Sequence, residues 1–230
     1  MRREENALEY LDRPVAPADL EASLADIDRL NAWFGGYALT IRQVLRLARP
    51  RPDGAAVVVD VGGGRGDLAL RLVRAARRRG RQLGVVIVDL DADSLRLADP
   101  VSRVHPSITR VRADAAALPF REGGVDVATS SLMLHHLSPD AAVAALEAMR
   151  SVARSGVVVN DLLRTRLTLL LVWIATRVFA RHPISRHDGP LSVRRSYSPD
   201  EIRVLCEKAG WREAIVRRYP LLGRLLALTS

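Results

Sequence analysis

The run Ala55-Ala56-Val57-Val58-Val59-Asp60-Val61 is apolar at every position but one, and the turn Gly62-Gly63-Gly64-Arg65-Gly66 follows it at once. A strand with one wet face alternates apolar and polar residues. A short β-branched run without alternation belongs to a strand covered on both faces, as in a parallel sheet flanked by helices. Glycines directly after such a strand allow positive φ and a close approach of backbone to ligand where the next helix begins. That helix is read over Asp67 to Arg81, with Ala69, Leu72, Val73 and Ala76 on one side. Arg71, Arg74, Arg78 and Arg81 lie along another side and are read as a solvated face rather than a nucleic-acid stripe.

The alternation continues through strands at Val85–Leu90, Ile108–Arg112, Val125–Ser130 and Gly156–Asn160, with a short helix from Asp93 to Ala98. Ser138-Pro139-Asp140 supplies an N-cap, a proline at the first helical position and an acid in the first turn, opening a helix over Pro139–Ala153. Ahead of the first strand, Ala18 to Ala48 has helical spacing broken at Gly35-Gly36, which predicts two helices ended by the segment 49–54. Ser198-Pro199-Asp200-Glu201 opens a last helix, and Trp211–Tyr219 and Gly223–Thr229 read as a closing pair of strands. The expected fold is α/β: a doubly wound, mostly parallel, seven-stranded Rossmann-like sheet with N-terminal helices and an apolar helical insertion after strand five. A single domain is expected, with N-terminal helices over 1–50, a ligand-binding core over 55–160, an insertion over 161–197 and closing elements over 198–230. In such sheets ligands bind outside the carboxyl ends of the strands.

Composition narrows the class. At 230 residues, 48% hydrophobic and 27% charged, the chain can bury a sizeable core, which excludes disorder. The lone Cys206 cannot form an internal disulfide and the first residues do not resemble a signal segment, so a cytoplasmic protein is expected. The net charge is +9, and residues 162–230 hold thirteen Arg/Lys against five Asp/Glu, so the excess sits in the last third. With Lys208 the only lysine, the arginine skew is read as genomic base composition, and no specific nucleic-acid partner is expected. Within that third, LLRTRLTLLLVWIATRVF (162–179) contains an uninterrupted apolar stretch, Leu167–Thr176, about half the length of a membrane span. A helix apolar on nearly every side is expected to be buried: in the core, as a lid over the active-site mouth, against a second subunit, or on a membrane surface. The flanking Arg164, Arg166, Arg177 and Arg181 would reach lipid headgroups or an acidic substrate.

The acids around the glycine turn separate two cofactor classes. A dinucleotide fingerprint starting at Gly62 wants glycine or alanine at position 67, where this chain has Asp67, and Asp60 stands at the strand end. Two carboxylates beside the loop repel a pyrophosphate and suit a ligand carrying an ammonium and a sulfonium. Here the chain resembles the class I S-adenosylmethionine-dependent methyltransferases, whose first motif is an acid followed by Gly-x-Gly-x-Gly, matched by Asp60, Gly62, Gly64 and Gly66. The resemblance implies that Asp89, ending Val-Val-Ile-Val-Asp, accepts from the ribose hydroxyls with Leu90 beside the adenine. It further implies that Asp114-Ala115 meets the adenine amino group, and that the run Gly124 to Leu137, including Ser130, is the strand-four segment of small-molecule members. An acid at Asp89 also fits NAD, so that residue alone does not discriminate. The resemblance also implies that the last strand runs antiparallel.

Methyl transfer is an in-line displacement on the sulfonium carbon, and for a hydroxyl acceptor the protein supplies positioning and a base. His136, then His135, follow strand four and are the catalytic candidates; His187, in His187-Asp188-Gly189, is a third, read in a loop where the carboxylate orients the imidazole. Strand four lacks the Asn/Asp-Pro-Pro-Tyr/Phe type sequence of amino-directed enzymes, and no cysteine pair or clear acidic triad is present, so metal-independent transfer is expected. Asp28-Arg29-Leu30-Asn31-Ala32-Trp33-Phe34-Gly35-Gly36, Asn160-Asp161-Leu162-Leu163-Arg164 and His187 to Arg195 further resemble bacterial methyltransferases found beside type III polyketide synthases. That likeness implies a phenolic, often lipid-tailed polyketide acceptor. Two rival classes stand beside this reading: a nicotinamide-dependent oxidoreductase, and a non-catalytic protein binding membrane or nucleic acid through the basic C-terminal third.

Overall fold

The computed structural model describes residues 1–49 and 54–229. The proline-rich stop expected over 49–54 therefore lies, at 50–53, outside the described residues. Helices Pro17–Trp33 (α1) and Gly36–Leu47 (α2) precede the strand Ala56–Val61 (β1). Next come Asp67–Arg77 (α3), Leu83–Asp89 (β2), Ala92–Leu97 (α4), Asp99–Val104 (α5), Ile108–Arg112 (β3), Val127–Ser131 (β4), Pro139–Val152 (α6) and Val157–Leu162 (β5). The chain then forms Arg166–Phe179 (α7), Pro183–Arg195 (α8), Pro199–Lys208 (α9), Ile215–Tyr219 (β6) and Arg224–Thr229 (β7).

The strands pair in the order β3-β2-β1-β4-β5-β7-β6. The first five are parallel neighbours, and β7 runs antiparallel to both β5 and β6, as the resemblance implied. Side chains of the central strands divide by the two-residue period of the pleat. Val59 and Val61 of β1, Val157 and Val159 of β5 and Leu225 and Ala227 of β7 face one layer, with Leu146 and Met149 of α6 and Ile202 of α9. Val58, Val158, Leu226 and Leu228 face the other, with Val44 of α2 and Leu72 of α3. A strand between two helical layers must be apolar at consecutive positions, which is why β1 and β5 carry no alternation. The outer strands differ: β3 exposes Thr109, Arg110 and Arg112, and β6 exposes Arg217 and Arg218, charges that discourage edge-to-edge pairing.

Asn160 and Arg224 tie the N-terminal helices to the sheet. Asn160 is fully buried in β5, and its amide donates to the Gly36 carbonyl and to Thr40 Oγ1, both at 2.8 Å, at the start of α2. Arg224, buried at the start of β7, donates to Asn31 Oδ1 of α1, and burial lowers its guanidinium to about 10. Together with the bonds from Arg71 to Asp28 and from Arg81 to the Leu45 carbonyl, these polar ties fix α1 and α2, which form one wall of the cavity described below.

Two expectations fail in the insertion. His187-Asp188-Gly189 is not in a loop but inside α8, which continues through Gly189 and Pro190. The helix survives because Gly189 is where α7 crosses it: a Cβ there would stand 2.7 Å from Thr176 Cγ2. Tertiary packing overrides the local breaker signal. Of the placements expected for α7, the core is not the one found: most of its large apolar side chains are exposed, and Leu171, Ile174 and Phe179 line the cavity. Among the described residues no helix is long and apolar enough to cross a membrane.

Removing the Asn160 amide breaks two buried hydrogen bonds, so Asn160→Ala should lower stability by roughly 1–3 kcal/mol. Urea denaturation followed by circular dichroism checks this; an unchanged midpoint and slope would show that α2 is held otherwise.

Candidate active site

The carboxyl ends of the parallel strands open into one cavity of ≈ 720 Å³, between the sheet edge, α1, the turn after β4 and the α7–α8 pair. At the β1 end the chain reverses through the glycine turn. Gly62 has φ +70°, its N–H donates to the Val88 carbonyl at 2.8 Å, and a Cβ on it would stand 2.6 Å from Met133 Cγ. Gly64 differs: its N–H donates to Asp89 Oδ2 at 2.8 Å, and a Cβ would meet nothing within 4 Å, because that side of the turn faces the cavity.

Carboxylates crowd this end. Asp60, Asp67, Asp89 and Asp91 all line the cavity. Asp67 has a cationic partner, Arg65, through two hydrogen bonds at 3.0 and 3.1 Å. Asp60 is buried and its Oδ2 has no hydrogen-bond partner. Burial, reinforced by the negative charges of Asp89 and Asp67, pushes its carboxyl up to about 8. Burial also raises Asp89, although the N–H groups of Asp91 and Gly64 oppose it by donating to its oxygens. An orphaned buried carboxyl beside further acids, under a turn open to the cavity, fits a ligand that carries positive charge and offers hydroxyl donors.

At the other end two histidines stand on carboxylates. His135 Nδ1 lies 2.7 Å from Asp161 Oδ1, and His136 Nδ1 lies 2.7 Å from Asp12 Oδ1. Both carboxyls are held low: burial alone would raise them, but the histidine contacts outweigh it, with Arg195 adding to the effect at Asp12. An ionised carboxylate only accepts, so each Nδ1 carries a hydrogen. The Nε2 atoms face Glu9, whose Oε1 is 3.9 Å from His135 Nε2 and whose Oε2 is 4.0 Å from His136 Nε2. Glu9 is buried, its Oε1 has no hydrogen-bond partner, and desolvation pushes its carboxyl up to about 7 against the opposing His136, Ser192 and Arg195. Glu9, His135 and His136 each offer a ligand atom within 4.8 Å of the others, a spacing a metal ion could use. The Arg195 guanidinium, 3.6 Å from Glu9 and bonded to Asp12, already supplies positive charge there, so we read the three as an acid–base cluster.

Asp188 positions this cluster from behind. It accepts from the N–H groups of Tyr10 and Leu11 at 3.0 and 3.2 Å, fixing the short turn that carries Glu9 and Asp12. Between the two polar ends the walls are apolar, with Leu24, Ile27 and Phe34 on one side and Leu171, Ile174 and Phe179 of α7 on the other.

Residues 58–156 match the family described as methyltransferase domain. The matched segment spans less than half of the chain. Solved structures that share the fold include proteins named for S-adenosylmethionine or holding S-adenosylhomocysteine. An S-adenosylmethionine-dependent methyltransferase of Aquifex aeolicus superposes with TM-score 0.62 at 18% identity, covering 94% of this chain and 98% of that one. The magnesium protoporphyrin IX methyltransferase of Synechocystis, with bound S-adenosylhomocysteine, superposes with TM-score 0.58 at 14% identity, covering 98% and 89%. In sequence, the ubiquinone/menaquinone biosynthesis C-methyltransferase UbiE of Allorhizobium ampelinum is 32% identical over 110 residues, 46% of this chain and 41% of that protein. UbiE of Rickettsia prowazekii is 30% identical over 135 residues, 57% and 50%. The matches thus span about half or less of the curated relatives' own length.

Within the matched segment, Asp60, Gly62, Gly64, Asp89 and Leu90 stand on the cavity wall, as do His135 and His136. Five other expected site residues do not line it. Gly66, with φ +83°, caps α3 and packs on Ile87. Asp114 is exposed and spends its Oδ1 on the Ala116 N–H of its own turn, and Ala115 packs against the core. Ser130 is buried within β4, and its neighbour Ser131, on the opposite side of the pleat, lines the cavity instead. His187, the third catalytic candidate, bonds Asp188 and packs on Tyr10, but it is absent from the wall. Asp188, expected to orient His187, lies 2.8 Å from its Nδ1 and also holds the Tyr10–Leu11 backbone. The polar groups the sequence reading missed are Glu9, Asp12, Asp161 and Arg195. Asp161 ends a β-branched strand, the signal that identified Asp60 and Asp89; the others carry no local mark.

The Asp60 carboxyl gives a pH dependence of stability. It sits at about 8 in the folded chain against an ordinary 3.8, so above about pH 4 the folded state keeps a proton that the unfolded chain has released. Its effect is to lower the stability of the cofactor-free protein as pH rises from about 4 to about 8, by at most about 1.4 kcal/mol per pH unit. Denaturation of the wild type and Asp60→Asn across that window should show the fall reduced in the variant. Parallel profiles would mean that Asp60 is ionised when folded.

Proposed function

We propose that this chain transfers the methyl group of S-adenosylmethionine to a hydroxyl of a small apolar acceptor of phenolic or polyketide type. The observation that carries the reading is the pairing, in one cavity, of an acid-rich glycine turn with two carboxylate-held histidines across an apolar passage. The cofactor, when bound, supplies a methyl group on a sulfonium that leaves as a neutral thioether. Asp60 would take its ammonium group, Asp89 its ribose hydroxyls and Leu90 the face of its adenine. The charge of Asp60 then switches on when a cation arrives, which orients the ligand.

At the far end, the acceptor O–H would donate to His136 Nε2, the more open of the two histidines, while Asp12 holds Nδ1 and stabilises the charge the ring acquires. His136 would take the proton of the acceptor hydroxyl, leaving its oxygen to receive the methyl group that the bound cofactor would supply. Glu9, at about 7, takes or returns a proton near neutrality. Apolar walls exclude water from this path and favour a ring or acyl chain.

The UbiE likeness favours a second outcome for the same acceptor class, because those relatives are named as C-methyltransferases. Removing a phenol's proton also activates its ring carbons, so one base serves either bond.

Incubation with methyl-labelled S-adenosylmethionine and a panel of phenols, alkylresorcinols, amines and carboxylates tests the proposal. Labelled methyl ethers are the expected product, and ring-methylated phenols the signature of the second outcome. Asp12→Asn and His136→Gln should each lower kcat roughly a hundredfold to ten-thousandfold while S-adenosylhomocysteine affinity stays within about twofold. Turnover of amines or carboxylates alone would sink the acceptor assignment.

A further inference from the structure

Helix α7 is inverted relative to an ordinary surface helix. Its fully buried side chains include Thr168 and Thr176: Thr168 packs where Gly223 leaves room, and Thr176 where Gly189 does. Its apolar residues point out. Leu167, Leu170, Leu171, Ile174 and Val178 recur at helical spacing on one side, and Leu170 and Val178 are 53% and 65% exposed. Water is a poor environment for such a face.

The face does not end with the helix. Trp173 is exposed beside Arg177, and Phe179 packs edge-on against Trp33 of α1 at 5.2 Å, which is itself 59% exposed. Leu221, in the turn before β7, is 84% exposed. Leu171, Ile174, Phe179 and Leu221 belong both to this exposed patch and to the cavity wall, so the patch forms the rim of the cavity mouth. Along α7 and the segment after it the charge has one sign: between residues 162 and 187 the chain has five arginines and no acid. Arg166, Arg177 and Arg181 are exposed.

We propose that this rim docks on an anionic lipid bilayer, with α7 lying in the interfacial plane and the cavity mouth facing the acyl region. An apolar face bordered by arginines and tryptophans has the chemistry of an interfacial helix. At 14 residues α7 spans about 21 Å, too short to cross the hydrocarbon and sufficient to lie along it. A second copy seated on the same face would bring uncompensated arginines of both chains together and cover the mouth. The inference rests on the apolar-acceptor reading for its purpose, since a bilayer stores such molecules, but docking itself needs no turnover.

Flotation of the full chain with phosphatidylserine–phosphatidylcholine vesicles, and separately with phosphatidylcholine alone, tests it. The protein should rise with the anionic vesicles, with a blue shift of tryptophan emission, and bind them about tenfold or more tightly than neutral ones. Leu170→Glu with Val178→Glu should abolish flotation, and Arg177→Glu with Arg181→Glu should remove the preference for anionic lipid. None of these four residues lines the cavity, so thermal stability and S-adenosylhomocysteine binding serve as folding controls. Failure of the wild type to float, or a dimer in solution that Leu170→Glu with Val178→Glu splits, overturns the proposal. Methylation of soluble phenols without flotation refutes docking and leaves the function standing; flotation without methylation of any phenol does the reverse.

Discussion

Parallel strands all end on the same edge of their sheet, and the site is built from what those ends carry. β1 brings Asp60, β2 Asp89, β4 Ser131 and the turn to the two histidines, and β5 Asp161. The apolar strands are covered on both faces by α2 and α3 on one side and α6 and α9 on the other, so side chains that must meet a ligand are placed at the ends. The long β-branched runs and the polar crevice are thus one arrangement: the first makes the sheet stable enough to hold acids where burial disfavours their charge.

The two ends of the crevice handle buried charge differently. Around the glycine turn, Asp60 has neither cation nor hydrogen-bond donor on Oδ2, and its raised affinity for a proton reflects a missing positive partner. At the histidines, Asp12 and Asp161 are satisfied and held ionised, which fixes the imidazole tautomers. One end waits for a cation and the other is prepared to accept a proton. Methyl transfer from a sulfonium to a hydroxyl needs both, separated by the length of a small acceptor. The apolar walls and outward-facing α7 continue the same logic to the surface, where the mouth is rimmed by side chains that disfavour water.

The strands were legible because a doubly buried strand has to be apolar throughout: Ile108–Arg112 is found at the expected limits, and the other strands lie within a few residues of theirs. Strand-end acids were legible for the same reason, since a carboxylate after such a run has few structural uses. Asp114 carried that signal and still turned its oxygen on its own backbone, a local alternative always open to aspartate. Glu9, Asp12 and Arg195 were not legible. Asp12 meets His136 across 124 residues of chain, and α8 joins them: its Asp188 holds the Tyr10–Leu11 backbone and its Arg195 donates to Asp12 and to the His136 carbonyl. Which of its possible surroundings α7 takes was not legible, because apolar content shows that a helix avoids water, not what replaces it. The break expected at Gly189-Pro190 yielded to a helix crossing that only glycine permits.

The central claim is that the acid-rich turn holds an S-adenosyl group and not a dinucleotide. Titration calorimetry with S-adenosylhomocysteine and, separately, NADH on the wild type and Asp89→Ala tests it most directly. The account predicts one-to-one binding of S-adenosylhomocysteine, weakened about tenfold or more in the variant by loss of the ribose hydrogen bonds, and no heat from NADH. Binding of NADH, or S-adenosylhomocysteine affinity indifferent to Asp89, would contradict it.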